Sequence, residues 1–327
     1  MCHRPDVNEF ELIDRIVARL GDVTHGRGVV VGPGDDAAVL DTPSGHQLVV
    51  STDTLVAGRH YPDGSCADAI GYRSLAVATS DLAAMGAKPA FATVSLTAES
   101  LTADWAERYA SGLARAAAGF GIAIVGGNIA RGAESITVTV HGHAPNGAAI
   151  TRAGAQHGDR VYVTGFLGGA GLALGDENIA EWSLTLAPEG RPGTRKDDSP
   201  LGRYWMPQPR LELGIALRGI ASAAIDISDG LSSDLDHLCR ASGVSCEVDL
   251  NDVPLYPGAT AMDAIASGDD YELVFAAPPE TKGAVEAIAL RHGVITPVAI
   301  LRNDAHPGAT WFQDGIPVEV RPGYRHF

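Results

Sequence analysis

The first clear period along the chain runs from Glu9 to Leu20, where Phe10, Leu12, Ile13, Ile16, Val17 and Leu20 recur at helical spacing and predict a short amphipathic helix. Beyond it the pattern shortens to β-branched or apolar runs bounded by Gly, Pro, Asp or Asn. Val29 to Val31, Leu48 to Ser51, Phe91 to Leu96, Ile122 to Val125 and Ile136 to Val140 each predict a strand. Helices are predicted over Ala67 to Met85 and Ala103 to Gly119, so the first half reads as a mixed α/β layer. The turn-rich segment His143 to Ile150, with Pro145, Asn146 and Gly147, predicts a domain boundary and hence domains over residues 1–147 and 148–327. In the second half, strands are expected at Val161 to Thr164, Ala223 to Ile227, Cys246 to Asp249 and Leu273 to Ala276. An apolar stretch lies at Leu167 to Leu174, helices are expected near Leu231 to Ala241 and Lys282 to His292, and Ala187 to Gln208, dense in Gly, Pro and charge, predicts a long surface loop.

Length agrees with two domains, and 45% apolar residues give each a core. Forty acidic against twenty-four basic residues leave a net charge of −16, which repels nucleic acid and anionic membrane surfaces. Lys88, Lys196 and Lys282 are the three lysines, and none stands in a phosphate-binding P-loop context. Cys2, Cys66, Cys239 and Cys246 include no C-x-x-C pair, so reduced thiols in a cytosol are expected rather than a zinc site or disulfide framework. No uncharged apolar run approaches the roughly 18 residues of a membrane span, and the expectation is a soluble cytoplasmic protein.

Carboxylates recur where predicted strands end in turns. Gly32-Pro33-Gly34-Asp35-Asp36-Ala37-Ala38 formally fits the dinucleotide fingerprint, but two carboxylates there would repel a pyrophosphate unless cations stood between. Turn capping is the plainer reading of this motif taken alone. Ser51-Thr52-Asp53-Thr54 offers hard oxygen donors of the kind Mg²⁺ accepts, or a further cap. Asp81 lies four residues from Val77 and eleven from Ile70, which at about 100° per residue puts it on an apolar helix face. A carboxylate so placed needs a cation or a donor. Asp226-Ile227-Ser228-Asp229-Gly230 repeats the design, with Ser228 or Asp229 available as an N-cap. Gathered around one site, such acids point to Mg²⁺ carrying nucleotide phosphates, and phosphoryl transfer of this kind needs no nucleophilic side chain. Gly126-Gly127-Asn128 with Arg131-Gly132, the glycine-rich Gly165 to Gly171, and Thr151-Arg152 offer amides and guanidinium groups to phosphate, or serve as ordinary turns and surface charge. His60, Asp269, Asp270 and Tyr324 have no role that pattern alone assigns.

Taken in order, Gly34-Asp35-Asp36-Ala37-Ala38, Ser51 to Val56 with His60, Ser80 to Ala87, Gly126-Gly127-Asn128 with Arg131-Gly132, Asp226 to Leu231 and Gly268 to Leu273 resemble the thiamine-monophosphate kinases of the aminoimidazole-ribonucleotide synthetase-like superfamily. The resemblance implies an α/β (α+β) fold with an N-terminal mixed-sheet domain for ATP, Mg²⁺ and dimerisation and a C-terminal α/β domain, the nucleotide lying in the cleft between them. It implies transfer of the ATP γ-phosphate onto thiamine monophosphate with several Mg²⁺ ions and no covalent intermediate, in a homodimer. Asp36, Ser51, Thr52, Asp53, Asp81, Asn128, Asp226 and Asp229 would be metal ligands. Gly127, Asn128, Arg152 and Ser228 would contact ATP, while His60, Asp269 and Tyr324 would line the thiamine phosphate site. Two positions depart from the family pattern: Asn128 stands where many relatives have Asp, and Asp269 where Glu is usual. The alternatives are another ATP-dependent enzyme of the superfamily or a catalytically silent nucleotide-binding partner protein.

Overall fold

The computed structural model describes residues 9–184, 197–321 and 323. These fall into two units that are not divided at a single point. The first takes the described chain up to Leu82, Pro89–His143 and the described part of Asp176–Asp198; the second takes Ala83–Lys88, Ala144–Gly175 and the described residues from Ser199 onward.

In the first unit, helix α1 (Glu9–Leu20) follows the opening amphipathic pattern and packs on α3 (Ala103–Phe120). Arg15 pairs with Glu107 and Arg19 Nε donates to Ser111 Oγ, both at 2.6 Å. Exposed pairs of this kind stabilise little, so the burial of Leu12 and Leu20 holds α1 in place. Thr102 caps α3 by accepting the Trp105 N–H, and Gly121 ends it in the left-handed region at φ 68°. Helix α2 (Ala67–Ala84) has no single apolar stripe and is buried nearly all round, its polar residues Asp68, Arg73 and Ser80 included, beside Ile70, Leu75, Val77 and Leu82. Strands β1 (Val29–Val31) and β2 (Val39–Leu40) make a small antiparallel pair. The main sheet comprises β3 (His46–Val56), β4 (Lys88–Ala98), β5 (Ala123–Arg131) and β6 (Ser135–Pro145), in the order β3-β6-β4-β5, with β4 and β5 parallel. The segment after Asp176 is tied to α2 through Asp68, whose Oδ2 accepts the Ser183 hydroxyl at 2.8 Å and the Leu184 N–H at 3.1 Å.

The second unit is built on β7 (Arg160–Thr164), β8 (Ala223–Asp226), β9 (Ser245–Asp249), β10 (Leu273–Ala277), β11 (Ile295–Arg302), β12 (Gly308–Gln313) and β13 (Ile316–Pro317). Their order is β13-β12-β9-β11-β7-β10-β8, antiparallel except for the β12–β9 pair. The period of two explains why this sheet is covered on both faces. Val161, Val163, Ile225, Val274 and Ala276 turn toward α7 (Leu231–Ser242) and α8 (Ala261–Ala266), while Tyr162, Ala224, Leu273 and Phe275 turn toward α6 (Leu211–Ala216) and α9 (Lys282–His292).

The expected loop over 187–208 is corrected where it is described. Residues 187–196 lie outside the described residues, but Pro200–Trp205 is helix α5, started by the Ser199 cap and Pro200 and burying Tyr204 and Trp205. The apolar stretch from Leu167 holds only the short α4 (Gly169–Ala173). Among the described residues, no helix is long and apolar enough to cross a membrane.

Candidate active site

Two glycine and hydroxyl motifs that the sequence assigns to strand ends lie inside strands. Ser51 to Thr54 occupy the middle of β3, not its end, because β-branched residues continue the extended run to Val56. Alternation then separates the side chains. Ser51 and Asp53 turn inward with Val49 and Leu55, whereas Thr52 and Thr54 turn outward and bond Thr139 and Thr137 across the sheet at 3.0 and 2.9 Å. The Thr52 hydroxyl is therefore on the opposite face from Asp53. Likewise Gly126-Gly127-Asn128 is no turn but part of β5, paired in parallel with Val94 and its neighbours. A Cβ at Gly127 would stand 2.1 Å from the Val94 carbonyl oxygen, so close strand approach requires glycine there.

On the inward face of β3, the Ser51 hydroxyl donates to Asp81 Oδ2 at 2.5 Å. Asp53 Oδ1 accepts the Thr54 N–H at 2.8 Å. Burial pushes the Asp53 carboxyl above its ordinary range and the Asp81 charge adds to this, opposed by the Thr54 N–H, His60 and Arg73. His60 Nδ1 accepts the Val56 N–H at 2.9 Å, which leaves Nε2 to carry the ring proton in the neutral form. On α2, next in sequence to Asp81, Ser80 Oγ is fully buried and has no hydrogen-bond partner. Arg73, 1% exposed on α2, is a countercharge that the sequence reading missed; its signal is the one basic residue within a mostly apolar helix.

Asp36, Gly127 and Asn128 come together on the wall of one cavity of about 850 Å³ in the first unit, opposite Ile13, Ile16 and Val17 of α1. Asp35 lines it too, with Oδ1 accepting the Asp36 N–H at 2.8 Å, the cap expected of a turn. His141 Nδ1 faces the same region buried and without a partner, and burial lowers the basicity of this ring.

In the second unit, Asp226 ends β8 at 4% exposure, and the chain turns through Ser228 and Asp229 into α7. Gly230 at φ 103° stands at the N-cap position, which the sequence left open to Ser228 or Asp229. Asp234 Oδ2 accepts the Ser228 and Asp229 N–H groups, each at 3.1 Å. Burial, and then the charges of Asp226 and Asp229, push Asp234 up to about 8. Asp234 also escaped the sequence reading, although it is the polar interruption of the apolar α7 face formed by Leu231, Leu235 and Leu238. Asp269 sits at φ 60° and accepts the Tyr271 hydroxyl at 3.0 Å. Asp270, buried and pushed up to about 8 chiefly by that burial, accepts the Gly168 N–H. Arg152 is exposed, with its carbonyl accepting the Ser242 hydroxyl. Tyr324 lies outside the described residues; Gly323 just before it donates its N–H to Ser233 Oγ at 3.0 Å.

Among the described residues, no three His, Cys, Asp or Glu side chains form a ready metal cage. Mg²⁺ does not require one, since it keeps several waters and takes one or two carboxylates plus substrate phosphates. Each unit offers such carboxylates, Asp53 and Asp81 in the first and Asp226 and Asp229 in the second. Burial, and after it like-charged neighbours, disfavours the ionised forms of Asp53 and Asp234, a penalty that a divalent cation beside them would relieve.

Comparison with known proteins identifies the family. Residues 34–144 match the family described as AIR synthase related protein, N-terminal domain, and residues 156–311 match AIR synthase related protein, C-terminal domain. The chain is 39% identical over 332 residues to a thiamine-monophosphate kinase of Salmonella typhimurium, covering 98% of each. A crystal structure of thiamine-monophosphate kinase from Stenotrophomonas maltophilia matches with a TM-score of 0.80 and 36% identity, over 95% of this chain and 98% of that one. AaThiL complexed with AMPPCP and TMP matches with a TM-score of 0.70 and 29% identity, over 100% of this chain and 99% of the other. With both domains matched and the likeness running nearly end to end, the chain belongs to the thiamine-monophosphate kinase family of AIR synthase related proteins.

Proposed function

We propose that this chain is a kinase that transfers the γ-phosphate of ATP to the phosphate of thiamine monophosphate, giving thiamine diphosphate. The observation that carries the reading is the 39% identity to a thiamine-monophosphate kinase over 98% of both chains. A catalytically silent binding protein is disfavoured by the same likeness.

The residue roles are part of the proposal. Asp36, Ser51, Asp53, Asp81, Asn128, Asp226 and Asp229 would hold Mg²⁺, with Thr52 contributing its main-chain oxygen because its hydroxyl is engaged by Thr139. Bound Mg²⁺ would neutralise phosphate charge and orient the triphosphate. Gly127, Asn128, Arg152 and Ser228 would contact ATP. The Asp269 carboxylate suits the cationic thiazolium of the acceptor, His60 would donate from Nε2 to its phosphate, and Tyr324 completes that set. Phosphate attacks phosphate directly, so positioning and charge neutralisation do the chemistry without a covalent enzyme intermediate. The N-terminal domain, residues 1–147, would carry ATP, Mg²⁺ and a homodimer contact, and residues 148–327 the second domain. In support of a dimer, β3 stands at the end of its sheet with Leu48 and Val50 half exposed. Cys66, Cys239 and Cys246 are free thiols, in keeping with a cytoplasmic location.

The test is formation of thiamine diphosphate from ATP and thiamine monophosphate, with free thiamine and an aminoimidazole precursor as rival acceptors. Product is expected with the monophosphate alone. Its absence, or product from the aminoimidazole precursor, would discard the assignment in favour of another member of the superfamily.

A further inference from the structure

The Asp226–Asp229 turn is supported by a carboxylate for which the proposed chemistry has no use. Asp234, in the first turn of α7, is 2% exposed, and a single oxygen, Oδ2, accepts both the Ser228 and the Asp229 N–H. The constraint does not stop at the turn. The Ser228 carbonyl accepts the Asp269 N–H at 2.8 Å, and the Ile227 carbonyl accepts the Tyr271 N–H at 2.9 Å. Gly268 is pressed so close that a Cβ there would stand 2.4 Å from the Ser228 oxygen. Asp269 and Tyr271 are both held in the left-handed region, at φ 60° and 50°, a conformation that persists in non-glycine residues only when the surroundings over-determine it. Those surroundings are the turn that Asp234 fixes on one side and the Asp270–Gly168 bond on the other.

We propose that Asp234 is a positioning residue that holds the Asp226–Asp229 turn and the Asp269 segment in register, so that one buried oxygen governs both cation affinity and thiamine monophosphate affinity. This rests on the metal and substrate roles assigned above to Asp226, Asp229 and Asp269. Asp234 touches neither ligand in this scheme; it sets two binding segments at once through their main chains.

Two substitutions separate geometry from charge. Asp234→Asn keeps one carbonyl oxygen able to accept both N–H groups and removes the ionisable carboxyl. Asp234→Glu keeps the carboxyl and displaces the acceptor by one methylene. Steady-state rates are measured against thiamine monophosphate and against Mg²⁺, with thermal melting as a check on folding. For Asp234→Glu, the KM for thiamine monophosphate and the Mg²⁺ concentration giving half the maximal rate should rise together by about tenfold, while Asp234→Asn stays within about threefold of the parent in both. If Asp234→Glu does not fold, Asp234→Ser, whose acceptor falls short, carries the same expectation. Loss in Asp234→Asn as severe as in Asp234→Glu overturns the proposal in favour of a direct cation ligand. So does a fall in kcat with both concentrations unchanged. Asp229→Asn run in parallel tests the underlying reading by itself: an unaltered Mg²⁺ requirement there discards the metal role of the turn, while the KM shift in Asp234→Glu still reports on positioning.

Discussion

If Asp53 holds a cation as proposed, Asp53→Asn is expected to lower kcat by roughly 10³-fold or more, because it removes one carboxylate from the inward face of β3 without changing shape. The same substitution should leave the melting temperature unchanged or slightly raised. Burial and the neighbouring Asp81 already disfavour the charged form of Asp53 in the folded chain, so a neutral amide of equal size relieves that penalty. The Thr54 N–H keeps its acceptor, since the amide oxygen can stand where Oδ1 stands. Opposite movement of activity and stability is the signature of a residue retained for function. Normal turnover would remove Asp53 from the metal set, and a collapsed melting transition would make it a structural group.

Gly127→Ala should produce a large loss of stability. Its Cβ would stand 2.1 Å from the Val94 oxygen and 3.2 Å from the Val94 carbonyl carbon, in the pairing between β5 and β4, so the strands must separate or shift register. Overpacking of this kind costs about 3 kcal/mol or more when the obstacle is backbone that cannot rotate away. Gly126→Ala is the control, because its nearest neighbour is a Thr93 methyl at 3.8 Å, an ordinary contact. Urea unfolding of the pair should therefore show a large loss at 127 and less than about 1 kcal/mol at 126. Equal tolerance at both positions would contradict the strand placement and restore the phosphate-binding turn.

That contrast shows where the sequence was legible. Long periodic elements were: α3 and α7 follow their predicted spans closely, because their apolar spacing coincides with the face they bury. Strand limits were less so. Glycines after Val125 and hydroxyls after Val50 look like punctuation, yet β5 and β3 run through them, since only tertiary contact reveals that Gly127 is demanded by Val94. Helix α5 was hidden by its Gly, Pro and charge-rich surroundings, its six residues being too few to establish a period. Within the candidate site, the acids could be chosen because carboxylates near strands have few structural reasons to be there. Arg73 and Asp234 each interrupt an apolar helix pattern and so left a trace, but what the buried charge faces is set by other elements, which no linear spacing encodes.

The central claim is that acidic side chains accept a triphosphate only through divalent cations. Calorimetric binding of the non-hydrolysable ATP analogue AMPPCP, with Mg²⁺ and then with EDTA in its place, tests it most directly. Binding should be strong with Mg²⁺ and weaker by about 100-fold or more without it, since bare phosphates would face uncompensated carboxylates. Equal affinity in EDTA would contradict the account.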